Sequence, residues 1–178
     1  MTTQFKRITP EVYLAQERVV TVSRTHLEDF QAMAASNPRH RARLCAHKES
    51  ANRINEMFIA LTGDAYIRPH RHLNKSESFY IIAGTAAVIF FNASGQIEDA
   101  VEIGDYASGR PFFYRTEDSR YHTQIVTSSS LLVHEVTNGP FSPADTEWAP
   151  WSPDESDPAK VRSYLDDLKR QLASRSRE

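Results

Sequence analysis

Between residues 53 and 137, short apolar runs alternate with turn signals, and this alternation constrains the fold more than any other feature of the sequence. Each run has the length of a strand rather than of a helix. Residues 92–95 and 104–105 have the composition of hairpin turns. The predicted strands cover residues 54–61, 66–72, 78–82, 86–91, 97–103, 112–114, 122–126 and 131–136. Because this spacing leaves no room for crossover helices, the sequence predicts an all-β fold, either a barrel or a double-sheet jelly roll.

Elements with other patterns precede this region. Residues 8–23 favour short, edge-like extended segments, which would pair with the same chain or with a second subunit. Thr25 is the predicted N-cap of a helix over residues 26–35, and Glu28 completes a capping box. Residues 38–52 are basic and are expected to be irregular.

The C-terminal part combines a Pro-rich segment with a helix. Residues 138–158 hold five of the nine prolines, so this segment is expected to wrap the barrel in an extended form. Asp157 caps the last helix, and Pro158 takes its first position. The length of 178 residues indicates a single domain. Its predicted parts are an N-terminal strand arm and helix over residues 1–37, the barrel over 53–137, and the Pro-rich wrap and C-terminal helix over 138–178.

Composition excludes several classes of partner. The net charge is -2, so the charge balance does not favour nucleic acid or an anionic membrane surface. No apolar run approaches the roughly 18 residues of a membrane span, and the N-terminus has no apolar secretory segment. Cys45 is the single cysteine, which rules out an internal disulfide and agrees with a reducing compartment. We therefore expect a cytoplasmic protein with no nucleic-acid or membrane partner.

The stretch from Gly63 to Gly84 contains half of a predicted metal site. His70 and His72 are two residues apart, so on a strand both imidazoles point to the same face. Glu77 follows a polar turn and begins the next apolar run, so an antiparallel partner strand would bring its carboxylate to the same point. Two imidazoles and a carboxylate suit a divalent first-row metal.

The spacing Gly-x6-His-x-His-x4-Glu-x6-Gly in this stretch resembles the first signature motif of the cupins, which are small metal-binding β-barrels. The resemblance implies a cupin double-stranded β-helix, a jelly-roll barrel. The short N-terminal helix and the C-terminal helix predicted above would be additions to it. The second cupin motif needs a later glycine, proline and histidine, which Gly104, Pro111 and His122 supply in order. An open coordination position would mark a catalytic or ligand-binding metal, and Fe, Mn, Ni, Cu and Zn all fit. The predicted ligands are His70, His72, Glu77 and His122.

Basic residues form a candidate anion-binding edge. Arg41, Arg43, Cys45 and His47 alternate, so an extended chain places all four on one face. Guanidinium groups match carboxylate and phosphate in a bidentate way, whereas the alternative is a solvated basic linker. The candidates for binding an anionic substrate are Arg41, Arg43, His47 and Arg68.

Three further residues are candidates for contacts that orient the metal ligands or for proton transfer near them. They are Tyr80, His134 and Glu135. His134 and Glu135 are adjacent on a strand and point to opposite faces, so at most one of the two side chains points into the barrel. The alternative for each is an ordinary core or strand-end residue.

Several segments taken together resemble the WbuC-type cupin-fold metalloproteins, over residues 38–142. The resemblance implies a metal at the four predicted ligands and an association with genes for O-antigen or other surface-polysaccharide biosynthesis. The segments are Arg-x-Arg-x-Cys-x-His at 41–47, Arg-Pro-His-Arg-His at 68–72, Glu-Ser-Phe at 77–79, Tyr-His-Thr at 121–123 and His-Glu-Val-Thr-x-Gly-Pro-Phe at 134–141.

Three functions fit these features. The first is a metal-dependent enzyme, such as an isomerase or epimerase, acting on a small anionic or sugar-derived substrate. In it the metal polarises an oxygen atom, and Glu77 or His47 moves a proton. The second is an Fe(II)-dependent oxygenase, which the same ligands permit. The third is a non-catalytic protein that binds a small ligand through its metal. We expect a homodimer in each case.

Overall fold

The computed structural model describes residues 4–175. Residues 1–3 of the predicted N-terminal arm and residues 176–178 of the predicted C-terminal segment lie outside this range. The described chain is mostly β and contains two α-helices. Neither helix is long and apolar enough to cross a membrane.

The strands and helices are numbered in chain order. The helices are α1 (Arg24–Ser36) and α2 (Pro158–Arg175). The strands are β1 (Phe5–Arg7), β2 (Val12–Ala15), β3 (Arg41–Cys45), β4 (Ile54–Thr62), β5 (His70–His72), β6 (Glu77–Ala83), β7 (Thr85–Phe91), β8 (Ile97–Gly104), β9 (Phe113–Thr116), β10 (Tyr121–Val126), β11 (Ser130–Asn138) and β12 (Thr146–Trp148).

The strands form two sheets. One has seven strands in the order β1-β2-β3-β4-β11-β6-β9, and the other has five in the order β12-β5-β10-β7-β8. All neighbouring strands are antiparallel except β2 and β3, which are parallel. The predicted strands between residues 54 and 136 correspond to β4 through β11. The largely β fold is therefore confirmed, because alternating apolar runs and turns locate each strand.

The two sheets pack face to face over an apolar core. Alternate residues of β4, Met57, Ile59 and Leu61, face the interior. Val88 and Phe90 of β7 meet them from the five-stranded sheet. This packing decides which side chains of each strand enter the space between the sheets, and therefore which polar residues can form an internal site.

The start of helix α1 differs from the prediction. The Ser23 hydroxyl accepts a hydrogen bond from the His26 N–H (3.4 Å), and the Ser23 N–H donates to His26 Nδ1 (3.1 Å). Thr25, the predicted N-cap, lies inside the helix, so the predicted capping box with Glu28 is wrong. The reason is that a histidine three residues after Ser23 performs the role usually given to glutamate or glutamine.

Strand β3 occupies part of the segment that was expected to be an irregular linker. Its Ala42 and Leu44 are buried in a cluster with Phe30 of α1, so the segment is a strand with an apolar outer face. β3 pairs with β4, and the N-terminal arm adds to it through the parallel strand β2. The arm therefore pairs with its own chain.

Helix α2 covers the face of the five-stranded sheet that points away from the core. It begins at Pro158, as predicted, and the Asp157 side chain accepts a hydrogen bond from a first-turn N–H at 3.1 Å. Leu165 and Leu168 are buried in an apolar cluster that also includes Trp151 of the Pro-rich segment. The C-terminal part of the chain thus packs on the sheet that carries the histidines.

The contact of α2 with the sheet can be tested by a truncation. Leu168 is 2% exposed, so Leu168→Ala should lower the free energy of unfolding by about 2–5 kcal/mol in urea denaturation. Val19→Ala, at a side chain that is 77% exposed, is the control and should change it by less than about 0.5 kcal/mol. Equal effects at the two positions would contradict this placement of α2.

Candidate metal centre

Three histidines converge in the five-stranded sheet. His70 and His72 lie on β5, and His122 of β10 is the direct cross-strand partner of His70. One ligand atom from each ring lies within 4.8 Å of the other two. The two-residue spacing on one strand and the antiparallel pairing therefore bring three imidazoles to one point.

Each imidazole is oriented by a hydrogen bond at its Nδ1 atom. His70 and His122 each donate to the carbonyl oxygen two residues earlier, at 2.8 and 3.1 Å. His72 Nδ1 lies 3.4 Å from the Asp145 carbonyl oxygen and 3.2 Å from Thr146 Oγ1. A carbonyl oxygen only accepts, so Nδ1 holds the proton and Nε2 is left as the ligand atom. Metal-binding histidines are typically held in this way.

Glu77 reaches these histidines from the other sheet. One carboxylate oxygen lies 3.0 Å from His72 Nε2, and the other lies 3.4 Å from His122 Nε2. Glu77 begins β6, which does not pair with β5, so the expectation that an adjacent strand brings in this carboxylate is wrong. The reason is that residues 73–76 cross between the sheets, with Asn74 in the left-handed conformation (φ 60°).

The charges of the site depend on one another. Burial, together with the nearby His122, lowers the pKa of His70 to about 4. Burial opposes the charge of Glu77, but hydrogen bonds from His122 and His72 bring the pKa of that carboxyl below its usual value. Burial also opposes the charge of His72, but its hydrogen bond with Glu77 raises its pKa. At neutral pH the site therefore holds a neutral imidazole and an ionised carboxylate, which are forms that bind metal.

A second carboxyl group faces the same interior. Strand β11 places Glu135 on the inner face of the seven-stranded sheet, where it is buried. Burial, reinforced by the charge of Glu77, raises the pKa of Glu135 to about 7. His134 points to the opposite face, where its ring lies 4.8 Å from that of Phe58. Of these two neighbours, Glu135 is the one on the side of the histidines.

Two of the predicted anion-binding arginines already have carboxylate partners. Arg41 lies 3.2 Å from Glu11 and 3.5 Å from Glu155. Arg68 lies 2.6 Å from Asp154. These pairs compete with an external anion for the guanidinium groups, so an anion-binding role for either arginine requires displacement of a carboxylate of the chain.

Arg43 differs from these two arginines. It is exposed, and among residues 4–175 no carboxylate lies within ion-pair distance of it. Its cross-strand partner is Ile59, which belongs to the core, so Arg43 projects from the inner face of its sheet. It is therefore the predicted arginine that remains available for an anion.

The other candidates lie in different surroundings. The Glu56 N–H donates to His47 Nδ1 (3.1 Å), and burial lowers the pKa of His47. Burial raises the pKa of the Cys45 thiol to about 11, which makes it a packing residue rather than a nucleophile. Tyr80 is 45% exposed beside Phe112 and does not line the interior.

Two buried polar residues of the interior were not predicted. Asn55 of β4 and Thr137 of β11 are direct cross-strand partners, and Thr137 also pairs with Glu77. Each takes an inward position that the alternation of its strand usually fills with an apolar side chain. A polar interruption of an apolar stripe is the sequence signal that marks them.

Comparison with known sequences gives one match over part of the chain. A family described as a domain of unknown function (DUF6016) matches residues 22–103. No curated protein matches the sequence.

Solved structures of cupin-fold proteins are similar to the chain. The capsular polysaccharide assembling protein CapF from Staphylococcus aureus aligns with a TM-score of 0.50 and 14% identity, over 63% of this chain and 32% of CapF. A recombinant oxalate oxidase in complex with glycolate aligns at 0.49 and 11%, over 65% of this chain and 58% of the oxidase. Protein SO0799 from Shewanella oneidensis aligns at 0.47 and 17%, over 58% of this chain and 66% of SO0799.

These alignments concern the fold alone. The chain covers less than two thirds of each of the three structures, and the identities are low. The likeness to CapF agrees with the predicted cupin resemblance at the level of architecture. It assigns neither a substrate nor a reaction.

The buried Glu135 carboxyl predicts a pH-dependent stability. Its pKa rises from 4.5 in the unfolded chain to about 7 in the fold. Its burial therefore does not lower the free energy of unfolding below pH 4.5, where the group is protonated in both states, and lowers it most above pH 7. In metal-free protein, Glu135→Gln should therefore raise the free energy of unfolding by up to about 3 kcal/mol near pH 8 and by little near pH 5. Urea denaturation at the two pH values measures this, and a pH-independent difference would contradict it.

Proposed function

We propose that the chain is a metal-dependent enzyme that acts on a small anionic or sugar-derived molecule. The observation that carries the proposal is the convergence of His70, His72 and His122, each with its Nδ1 atom held by an oxygen atom and its Nε2 atom directed to the same point. Glu77 adds a carboxylate that touches two of these Nε2 atoms from the opposite sheet. A carboxylate buried against two imidazoles needs a shared proton or a cation between them.

The donor set fits a divalent transition metal. Three imidazole nitrogens and one carboxylate suit Fe, Mn, Ni, Cu or Zn, and affinity alone does not choose among them. A tetrahedral structural site would be complete with four protein ligands, whereas the larger coordination number of iron, manganese or nickel leaves a place for substrate. When bound, the metal would act as a Lewis acid on a carbonyl or hydroxyl oxygen of the substrate.

The residues around the site suit proton transfer next to such an oxygen. Glu135 faces the same interior and can hold or release a proton near neutral pH. Arg43 has no carboxylate within ion-pair distance in the described chain and would help the metal to bind the anionic end of the substrate. Glu77 and His122 are buried between the packed sheets, which would limit the access of water to the reacting atoms. An isomerase or epimerase reaction fits these parts, and oxygen consumption by the iron-loaded protein would instead indicate an oxygenase.

We also propose a fold type, an oligomeric state and a location for the protein. The division of β4 through β11 between two facing sheets supports a cupin double-stranded β-helix. The WbuC type, and with it a role in surface-polysaccharide biosynthesis, rests on the sequence segments that resemble that family. The exposed Phe113 on the edge strand β9 supports a homodimer. The single buried cysteine and the net charge of -2 support a cytoplasmic protein without nucleic-acid or membrane partners.

Metal content tests the proposal directly. Protein purified without added metal should contain about one equivalent of a transition metal, and the His70→Ala/His72→Ala variant should contain almost none. The matched control is His134→Ala, because His134 lies on the outer face and should not affect metal content. Elemental analysis gives the result. A wild type without metal even after reconstitution, or an equal loss in the control, would contradict the proposal.

A further inference from the structure

The interior next to the candidate metal centre holds polar side chains without partners in the described chain, and two of them, Asn55 and Thr137, lie in one row. Asn55 is 2% exposed, and neither its Oδ1 nor its Nδ2 atom has a hydrogen-bond partner in the described chain. Thr137 is 7% exposed, and its Oγ1 atom also has none. A buried amide or hydroxyl that makes no hydrogen bond destabilises the fold, so residues retained in this state require an explanation.

Both residues belong to a row that begins at the candidate metal centre. Thr137 is the direct cross-strand partner of Glu77 on one side and of Asn55 on the other. Direct partners project from the same face of a sheet, so the three side chains face the space between the sheets in line. The row covers two strand spacings, about 10 Å, which matches a sugar-sized molecule with one end at the metal centre.

A purely structural role does not account for Asn55. The nearest loop contains Gly139, where an added Cβ atom would lie 3.0 Å from Asn55 Nδ2. The amide is thus close to this loop, yet it makes no hydrogen bond to the loop or to its neighbours. An asparagine that secured the loop would be bonded to it.

The hydrogen-bonding capacity of the row indicates the chemistry of its ligand. The Asn55 amide both donates and accepts, and so does the Thr137 hydroxyl. Carboxylates and phosphates only accept, so they would leave the Asn55 carbonyl oxygen without a partner. Alcohol groups donate and accept, and therefore match both side chains.

We propose that Asn55 and Thr137 form a hydroxyl-binding subsite that extends from Glu77, and that the substrate is a small acid carrying a chain of hydroxyl groups. This inference rests on the proposed function, since the acid end of the molecule is assigned to the metal centre. The subsite adds selectivity for polyhydroxy acids over simple acids of the same length.

The test compares two acids that differ only in their hydroxyl groups. Protein loaded with Co²⁺ is titrated with D-gluconate or with hexanoate, and the visible absorption of the cobalt reports binding at the centre. The wild type should bind gluconate at least about tenfold more tightly than hexanoate. Asn55→Leu and Thr137→Val should each weaken gluconate binding by about tenfold and leave hexanoate binding unchanged or tighter.

Thr62→Val provides the matched control. Thr62 also carries a buried hydroxyl without a partner in the described chain, but it is not an inward position of β4. The Thr62→Val substitution should leave the binding of gluconate and of hexanoate unaltered. Thr137→Val removes a single hydroxyl without a large change of shape, so this variant still tests the subsite if Asn55→Leu does not fold.

The outcomes separate the inference from the proposed function. Cobalt binding without selectivity for gluconate, or equal losses of both acids in the variants, would overturn the subsite and leave the metal centre intact. Failure of the wild type to bind cobalt would overturn both. Selectivity that disappears in the two variants and persists in Thr62→Val would establish the subsite.

Discussion

The contact of Glu77 with two histidines joins the two sheets, and the proposed chemistry depends on it. The histidines belong to the five-stranded sheet, whereas Glu77 begins a strand of the seven-stranded sheet. A carboxylate in this position is buried, so burial alone would favour its neutral form. The hydrogen bonds from His72 and His122 keep it ionised instead. A bound cation at this point would also compensate the charge of the Glu77 carboxylate. The carboxylate can therefore be buried in an otherwise apolar interior.

The interior around this contact combines apolar and polar surfaces. Core residues of β4 and β7 hold the sheets together, and the backbone carbonyl oxygens beside the histidines fix the rings. Glu135, Asn55 and Thr137 then provide polar groups on the facing sheet. One sheet supplies the imidazoles, and the other supplies the Glu77 carboxylate together with polar groups that could contact a substrate.

Sequence patterns predicted the strands well because turns and apolar alternation are local properties. β4 through β11 overlap the predicted strands, although β5 begins only at His70, and α2 begins at Pro158 as predicted. His70 and His72 meet because a period of two is fixed by strand geometry. Their approach to His122 depends on strand order, which the cupin resemblance supplied and the local pattern did not.

The features that sequence analysis missed depend on tertiary contacts. The arginines of strand β3 give the segment the composition of a basic linker. Its burial against α1 is visible only in the fold. Arg41 and Arg68 are both basic, yet distant segments supply carboxylates that pair with them. The polar interruptions at Asn55 and Thr137 are visible in the sequence, but only the register shows that Thr137 lies beside Glu77 and that Asn55 lies beside Thr137.

Anomalous X-ray diffraction from crystals of the metal-loaded protein tests the central claim most directly. Data collected on both sides of the absorption edge of the metal locate it without assumptions about its ligands. We expect one peak between the sheets, about 2.0–2.2 Å from the Nε2 atoms of His70, His72 and His122 and from a Glu77 oxygen. A peak at another site, ligation through Nδ1, or no peak between the sheets would contradict it.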